Sequence, residues 1–112
     1  MDKAEQQEIR AEFQKVVNLS PAELERWLDT EESREVGWTH EGEHESVGHQ
    51  SGRRIVELKR RKVAELDEDD YAHMRKVIGY VHRHGAQRPE GDVTKTRWRY
   101  SLINWGHDPL KD

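Results

Sequence analysis

The stretch from Asp67 to Gly85 most constrains what this chain can fold into. Tyr71, Met74, Val77, Ile78 and Val81 recur at spacings of three and four, which places them along one face of an α-helix. Asp67 stands where an N-cap belongs, and Glu68, Asp69 and Asp70 put acids in the first turn, where the helix dipole favours them. His82, Arg83 and His84 fall in the last turn, with Gly85 behind them as the expected C-terminal stop. The same spacing returns in Ile9, Phe13, Val16 and Val17, in Leu24, Trp27 and Leu28, in Ile55 and Leu58, and in Trp98, Leu102 and Trp105. The expected fold is therefore all-α: a small bundle of about five helices in a single domain, with one long flexible loop over roughly residues 30–50.

The boundaries follow from capping chemistry. Residues 3–17 form the first helix and Asn18 ends it; Ser20-Pro21-Ala22-Glu23 is a capping box with Pro at the first helical position, so a second helix runs to about Asp29. A joint this short predicts a helical hairpin over 1–29. Periodicity vanishes from Thr30 to Gln50, where Gly37, Gly42 and Gly48 interrupt a Glu- and His-rich run. A basic helical core is expected over 51–107. Its first helix is capped by Ser51, with Gly52 allowing a close approach and with Val63 and Leu66 extending the inward stripe of Ile55 and Leu58. Asp92 is expected to cap the last helix and Gly106 to end it.

Charge is where function enters. Charged residues make up 38% of the chain, against about 25% in ordinary globular proteins. Residues 1–47 hold 5 basic and 13 acidic side chains, a balance of −8, and residues 48–112 hold 14 and 10, a balance of +4. The two halves thus either neutralise each other or meet charged partners. Six of the eleven residues from Gly52 to Lys62 are cationic. Arg53, Arg54, Lys59, Arg60, Arg61 and Lys62 read either as a solvated face supported by Glu57 and Glu65 or as a phosphate-contacting surface, joined by Arg83, Arg88, Arg97 and Arg99. In Arg97-Trp98-Arg99-Tyr100 cations and aromatic rings interleave, a pattern able to stack and neutralise single strands. Base-specific reading by a helix-turn-helix is disfavoured, because Glu68, Asp69 and Asp70 would repel phosphates at the start of the second helix. The pI near 6.0 also falls short of a strongly basic binder.

Other classes are set aside on composition. The chain has no Cys, which removes disulfides and thiolate metal sites. No apolar run approaches a bilayer span, and Met1-Asp2-Lys3 does not open a signal peptide, so no membrane association and a cytoplasmic location are expected. His40, His44 and His49 with Glu41, Glu43 and Glu45 have suitable donor atoms for zinc or nickel. The glycines among them break the helix that would bring His40 and His44 to one face, so no metal and no cofactor are expected. No nucleophile is accompanied by a base and an orienting group, and enzymatic activity is not expected.

Several longer strings carry a resemblance. Gly48-His49-Gln50-Ser51-Gly52-Arg53-Arg54-Ile55-Val56, Asp70-Tyr71-Ala72-His73-Met74-Arg75-Lys76-Val77, Gly79-Tyr80-Val81-His82-Arg83-His84, Ala86-Gln87-Arg88-Pro89 and the tail from Thr96 through Asn104-Trp105-Gly106-His107-Asp108-Pro109-Leu110-Lys111 are among them. With these, and with Leu24-Glu25 and Trp27-Leu28, the chain resembles a family of short bacterial and fungal proteins of undefined function, sometimes described as DNA-binding. The resemblance implies no catalytic residues. The resulting expectation is a small helical protein that binds nucleic acid, DNA foremost, through phosphates and with little base specificity. The alternative is a protein-interaction or regulatory domain whose charged halves meet an acidic protein or a second copy as a homo-oligomer.

Overall fold

The computed structural model describes residues 1–111 and contains six α-helices: α1 (Lys3–Val16), α2 (Pro21–Leu28), α3 (Glu31–Glu35), α4 (Val47–Arg60), α5 (Glu68–Gly85) and α6 (Arg97–Asn104), with one 3₁₀ turn at Val63–Glu65. The all-α expectation holds. Among the described residues no helix is long and apolar enough to cross a membrane.

Caps explain most of the starts. The Asp2 carboxylate accepts the Glu5 N–H, Ser20 with Glu23 and Asp67 with Asp70 form reciprocal boxes, and Thr30, Ser46 and Thr96 each accept the N–H three residues on. Each such cap is worth about 1 kcal/mol. Four of the expected boundaries change. The connection after α2 holds α3 and the first turn of α4, so the irregular stretch is shorter than 30–50. Ser46 caps α4, and Ser51 lies buried one turn inside the helix. Thr96 caps α6, while Asp92 accepts bonds from the backbone and hydroxyl of Thr94 in a turn ahead of it. α4 also stops at Arg60; Arg61 is extended, and Val63 is exposed instead of joining the inward stripe.

The core gathers Ile9, Phe13, Val17, Leu24, Leu28, Ile55, Leu58, Tyr71, Met74, Val77 and Trp105, with Val93, Trp98 and Leu102 forming a smaller cluster beside Tyr80. Burying a side chain of this kind contributes roughly 2 kcal/mol relative to leaving it exposed. α1 packs on α5, α2 packs on α4, and α6 touches α2, α3, α4 and α5. The helices expected to pair as a hairpin therefore find their main partners elsewhere, because each apolar stripe is matched by a longer helix.

The tail after α6 locks this arrangement. Gly106 has φ +83° and closes α6 in a Schellman turn, donating to Ile103 O while the His107 N–H donates to Leu102 O. His107 Nδ1 then donates to Val16 O at 2.7 Å, and Asn18 and Asp108 exchange two bonds, of 3.0 and 2.8 Å. Those contacts fasten the carbonyl end of α1 to the end of the chain.

Candidate functional site

The cationic run of α4 is mostly engaged within the molecule. Arg53 makes two bonds to Glu45, and Arg60 makes two to Glu25 at 2.9 and 2.6 Å. Arg61 reaches the buried Asp70 at 2.8 Å and Arg54 reaches it at 3.4 Å. Burial alone would raise the Asp70 pKa, but the Asp67 backbone N–H, the charge of Arg61 and the bond from Arg54 hold it below the ordinary range. Lys59 donates to Val17 O and Leu19 O at 3.2 and 3.0 Å beyond the end of α1, and burial lowers its pKa. Arg99 is clamped on Asp108 and also bonds Thr94 O. Lys62 alone of the run is exposed with no side-chain bond among the described residues. Glu25–Arg60, Glu5–Arg75 and Glu23–Lys111 pair the acidic half with the basic half, and Glu12 meets His82 across the same boundary, so part of the charge asymmetry is balanced inside one molecule.

Arg83, Arg88 and Arg97 are exposed and have no carboxylate partner among the described residues. Arg88 lies over the Trp98 ring at 5.5 Å, and Arg97 reaches Glu35 O at 3.5 Å. Arg83 opens onto a pocket of about 290 Å³ whose walls include Gly37, Trp38, Val47, Gly48, Lys76 and Tyr80, with Ser101, Asn104 and Trp105 behind. No carboxylate lines it. Lys76, Tyr80 and Arg83 share one face of α5, at steps of four and three. Across Val47, Lys76 and Trp105 it adjoins a wider polar groove, where Asp67, Asp69, Asp70 and Glu57 sit among Arg53, Arg54 and Arg61.

Four rings form a ladder behind the pocket. His73 stacks on Trp105 (centroids 6.2 Å apart), Trp105 on Tyr80 (4.4 Å) and Tyr80 on His84 (5.1 Å). Trp105 thus enters between side chains of α5, and Ser51 Oγ lies 2.9 Å from His73 Nε2. Burial, with the charges of Arg54 and Lys76, pushes the His73 imidazole down to about 4 from 6.5. In the unfolded chain the imidazole takes its proton near 6.5, so the unfolded state binds more protons between these values. The stabilisation is complete above pH 6.5 and is lost as pH falls through 4. We expect the melting temperature of wild type to fall from pH 6.5 to 4 more steeply than that of His73→Gln, followed by circular dichroism. Parallel declines would show that another group carries the acid limb.

A family model matches residues 12–103, most of the chain. The chain belongs to the DUF3140 family. That family is described as proteins of unknown function. No curated protein and no solved structure matches the chain. In this DUF3140 chain two histidines of the familiar strings are fixed by hydrogen bonds: His49 bridges Glu45 and Leu28 O, and His107 bonds Val16 O. Outside those strings, His40 packs on Trp38. No cluster of three or more His, Asp or Glu among the described residues is arranged to hold a metal ion.

Lys76, Trp38, Tyr80 and Trp105 were not among the sequence candidates. The step from Lys76 to Tyr80 to Arg83 was a readable signal of a shared face. The meeting of that face with Trp38 and Trp105 depends on long-range packing.

Proposed function

We propose that this chain is a small nucleic-acid-binding module, DNA foremost, which contacts phosphates with little base specificity through Lys76, Arg83, Arg88 and Arg97. The observation that supports this reading is the carboxylate-free pocket with Lys76 and Arg83 on its wall and Tyr80 and Trp38 beside them. Cations beside aromatic surfaces suit a single strand, whose phosphates and bases need both. The run from Arg53 to Lys62 suits it less, because a phosphate would have to displace Glu45, Glu25 or Asp70 from an arginine already held. The wider groove is disfavoured for the same reason: its four carboxylates repel a polyanion.

Fluorescence anisotropy of labelled DNA and RNA oligonucleotides, titrated across salt, tests the proposal. We expect log affinity to fall linearly with log salt, and Lys76→Glu with Arg83→Glu to weaken binding at least about tenfold, as removal of direct phosphate contacts does. The exchanged pair Glu25→Arg with Arg60→Glu should bind like wild type. Absence of binding by wild type at low ionic strength would end this reading. Equal losses in both double variants would return the interface to α4.

A further inference from the structure

We infer that the pocket between α4, α5 and α6 holds one unstacked nucleobase that carries a phosphate. This deepens the nucleic-acid reading and rests on it for the strand that would supply the base.

Three features define the ligand. The first is an unused donor. Trp105 is only 4% exposed, and its indole N–H has no acceptor among the described residues although its nitrogen is not sealed from solvent. A Cβ on Gly48 would stand 3.1 Å from that nitrogen, so the absence of a side chain at Gly48 keeps it open to the pocket. An indole N–H only donates, so the ligand must offer an acceptor on its edge, as the ring nitrogens and carbonyls of the bases do. The second is an exposed ring. Trp105 lies between His73 and Tyr80, and Tyr80 lies between Trp105 and His84, which leaves their faces covered. Trp38 lines the same pocket and is 66% exposed, with His40 set edge-on to it in a T-shaped contact; its remaining surface is where a flat ring can stack. The third is charge: Lys76 and Arg83 stand on the wall with no carboxylate, suited to a phosphate attached to that ring.

Size sets the limit. At about 290 Å³ the space lies at the small end of ligand pockets, roughly 300–1,000 Å³. It admits one ring system, and a base still paired and stacked in a duplex cannot present its face and edge there together. The same chemistry is available from a base splayed from a single strand or from a free nucleoside monophosphate.

The test compares four probes by anisotropy or calorimetry: a single-stranded oligonucleotide, the same strand with abasic sites, its duplex, and a nucleoside monophosphate. Wild type is measured beside Trp38→Ala, a surface change, and Gly48→Ala, which covers the indole N–H. We expect the single strand to bind about tenfold or more tighter than the abasic strand and the duplex, in line with the loss of one stacked base. Both variants should bring the single strand down to the abasic level and leave abasic binding unchanged. Saturable binding of the monophosphate that both variants abolish supports the pocket with a free nucleotide as its source, even if no strand binds. Equal affinity for single, abasic and duplex probes overturns the base pocket and leaves the phosphate-contact reading standing. No binding of any probe overturns both.

Discussion

Asn104→Ala is expected to lower the free energy of unfolding by about 3 kcal/mol. Asn104 is 1% exposed near the centre of the bundle. Its carbonyl accepts from the Trp27 indole N–H at 2.7 Å and from the Ser33 hydroxyl at 2.5 Å, and its amide donates to Ser33 O at 3.0 Å. One side chain thereby joins α2, α3 and α6. Ser33 is fully buried and has no access to water once the partner is gone, whereas Trp27 is partly exposed and recovers some hydration. A buried donor or acceptor left unmade costs about 1–3 kcal/mol, so Ser33 dominates the loss. Asn104→Leu fills most of the volume and leaves the same polar groups unmet, so it should lose nearly as much as Asn104→Ala. Urea unfolding followed by tryptophan fluorescence measures both. A loss below about 1 kcal/mol for the leucine variant would show that packing, and not the hydrogen bonds, holds this junction.

Gly52→Ala is expected to destabilise by about 2 kcal/mol, even though alanine is the better helix former by about 1 kcal/mol. The added Cβ would lie 2.6 Å from Asn104 O and 2.7 Å from Leu28 Cδ2. The leucine can turn away; the backbone carbonyl of α6 cannot, so α4 and α6 must separate. Gly79→Ala provides the contrast. Its Cβ meets only the end of the Arg83 side chain, at 2.9 Å from Nη1, and a flexible guanidinium moves cheaply. That variant should be neutral or gain up to about 1 kcal/mol from helix propensity. The thermal melt of Gly52→Ala should shift down, and that of Gly79→Ala should stay in place or shift up. Similar losses for both would mean that backbone approach at Gly52 does not limit the packing.

The resemblance strings acquire a physical meaning from these contacts. Asn104, Gly106, His107 and Asp108 each hold a defined neighbour: Ser33 and Trp27, the Schellman turn, Val16 O, and Asn18 with Arg99. Gly106 also sits where a Cβ would be 2.8 Å from Val17 Cγ1, so its positive φ and its close packing are required together. Apart from the Trp105 indole, which faces the pocket, these tail residues are explained by architecture.

The sequence by itself determined the helical class, the faces that Tyr71, Met74, Val77 and Val81 or Ile9 and Phe13 bury, and the caps at Ser20 and Asp67. These depend on residues within one or two turns of each other, and local spacing and side-chain-to-backbone bonds encode them directly. The start of α4 was obscured because Gly48 and Gly52 look alike in a loop and at a close helix crossing; only Trp105, Asn104 and Leu28 pressing on them tell the two apart. The cationic run is ambiguous in a similar way. An arginine's charge is visible in the chain, but whether it faces solvent or Glu45, Glu25 and Asp70 depends on partners 8, 35 and 9 positions away from Arg53, Arg60 and Arg61. Tertiary structure alone decided the candidate site, since it brings Trp38, Gly48, Lys76, Tyr80 and Trp105 together from four separate segments. Folding neutralised most of the charge on α4 and left Lys76 and Arg83 on the wall of a pocket without a carboxylate to meet them.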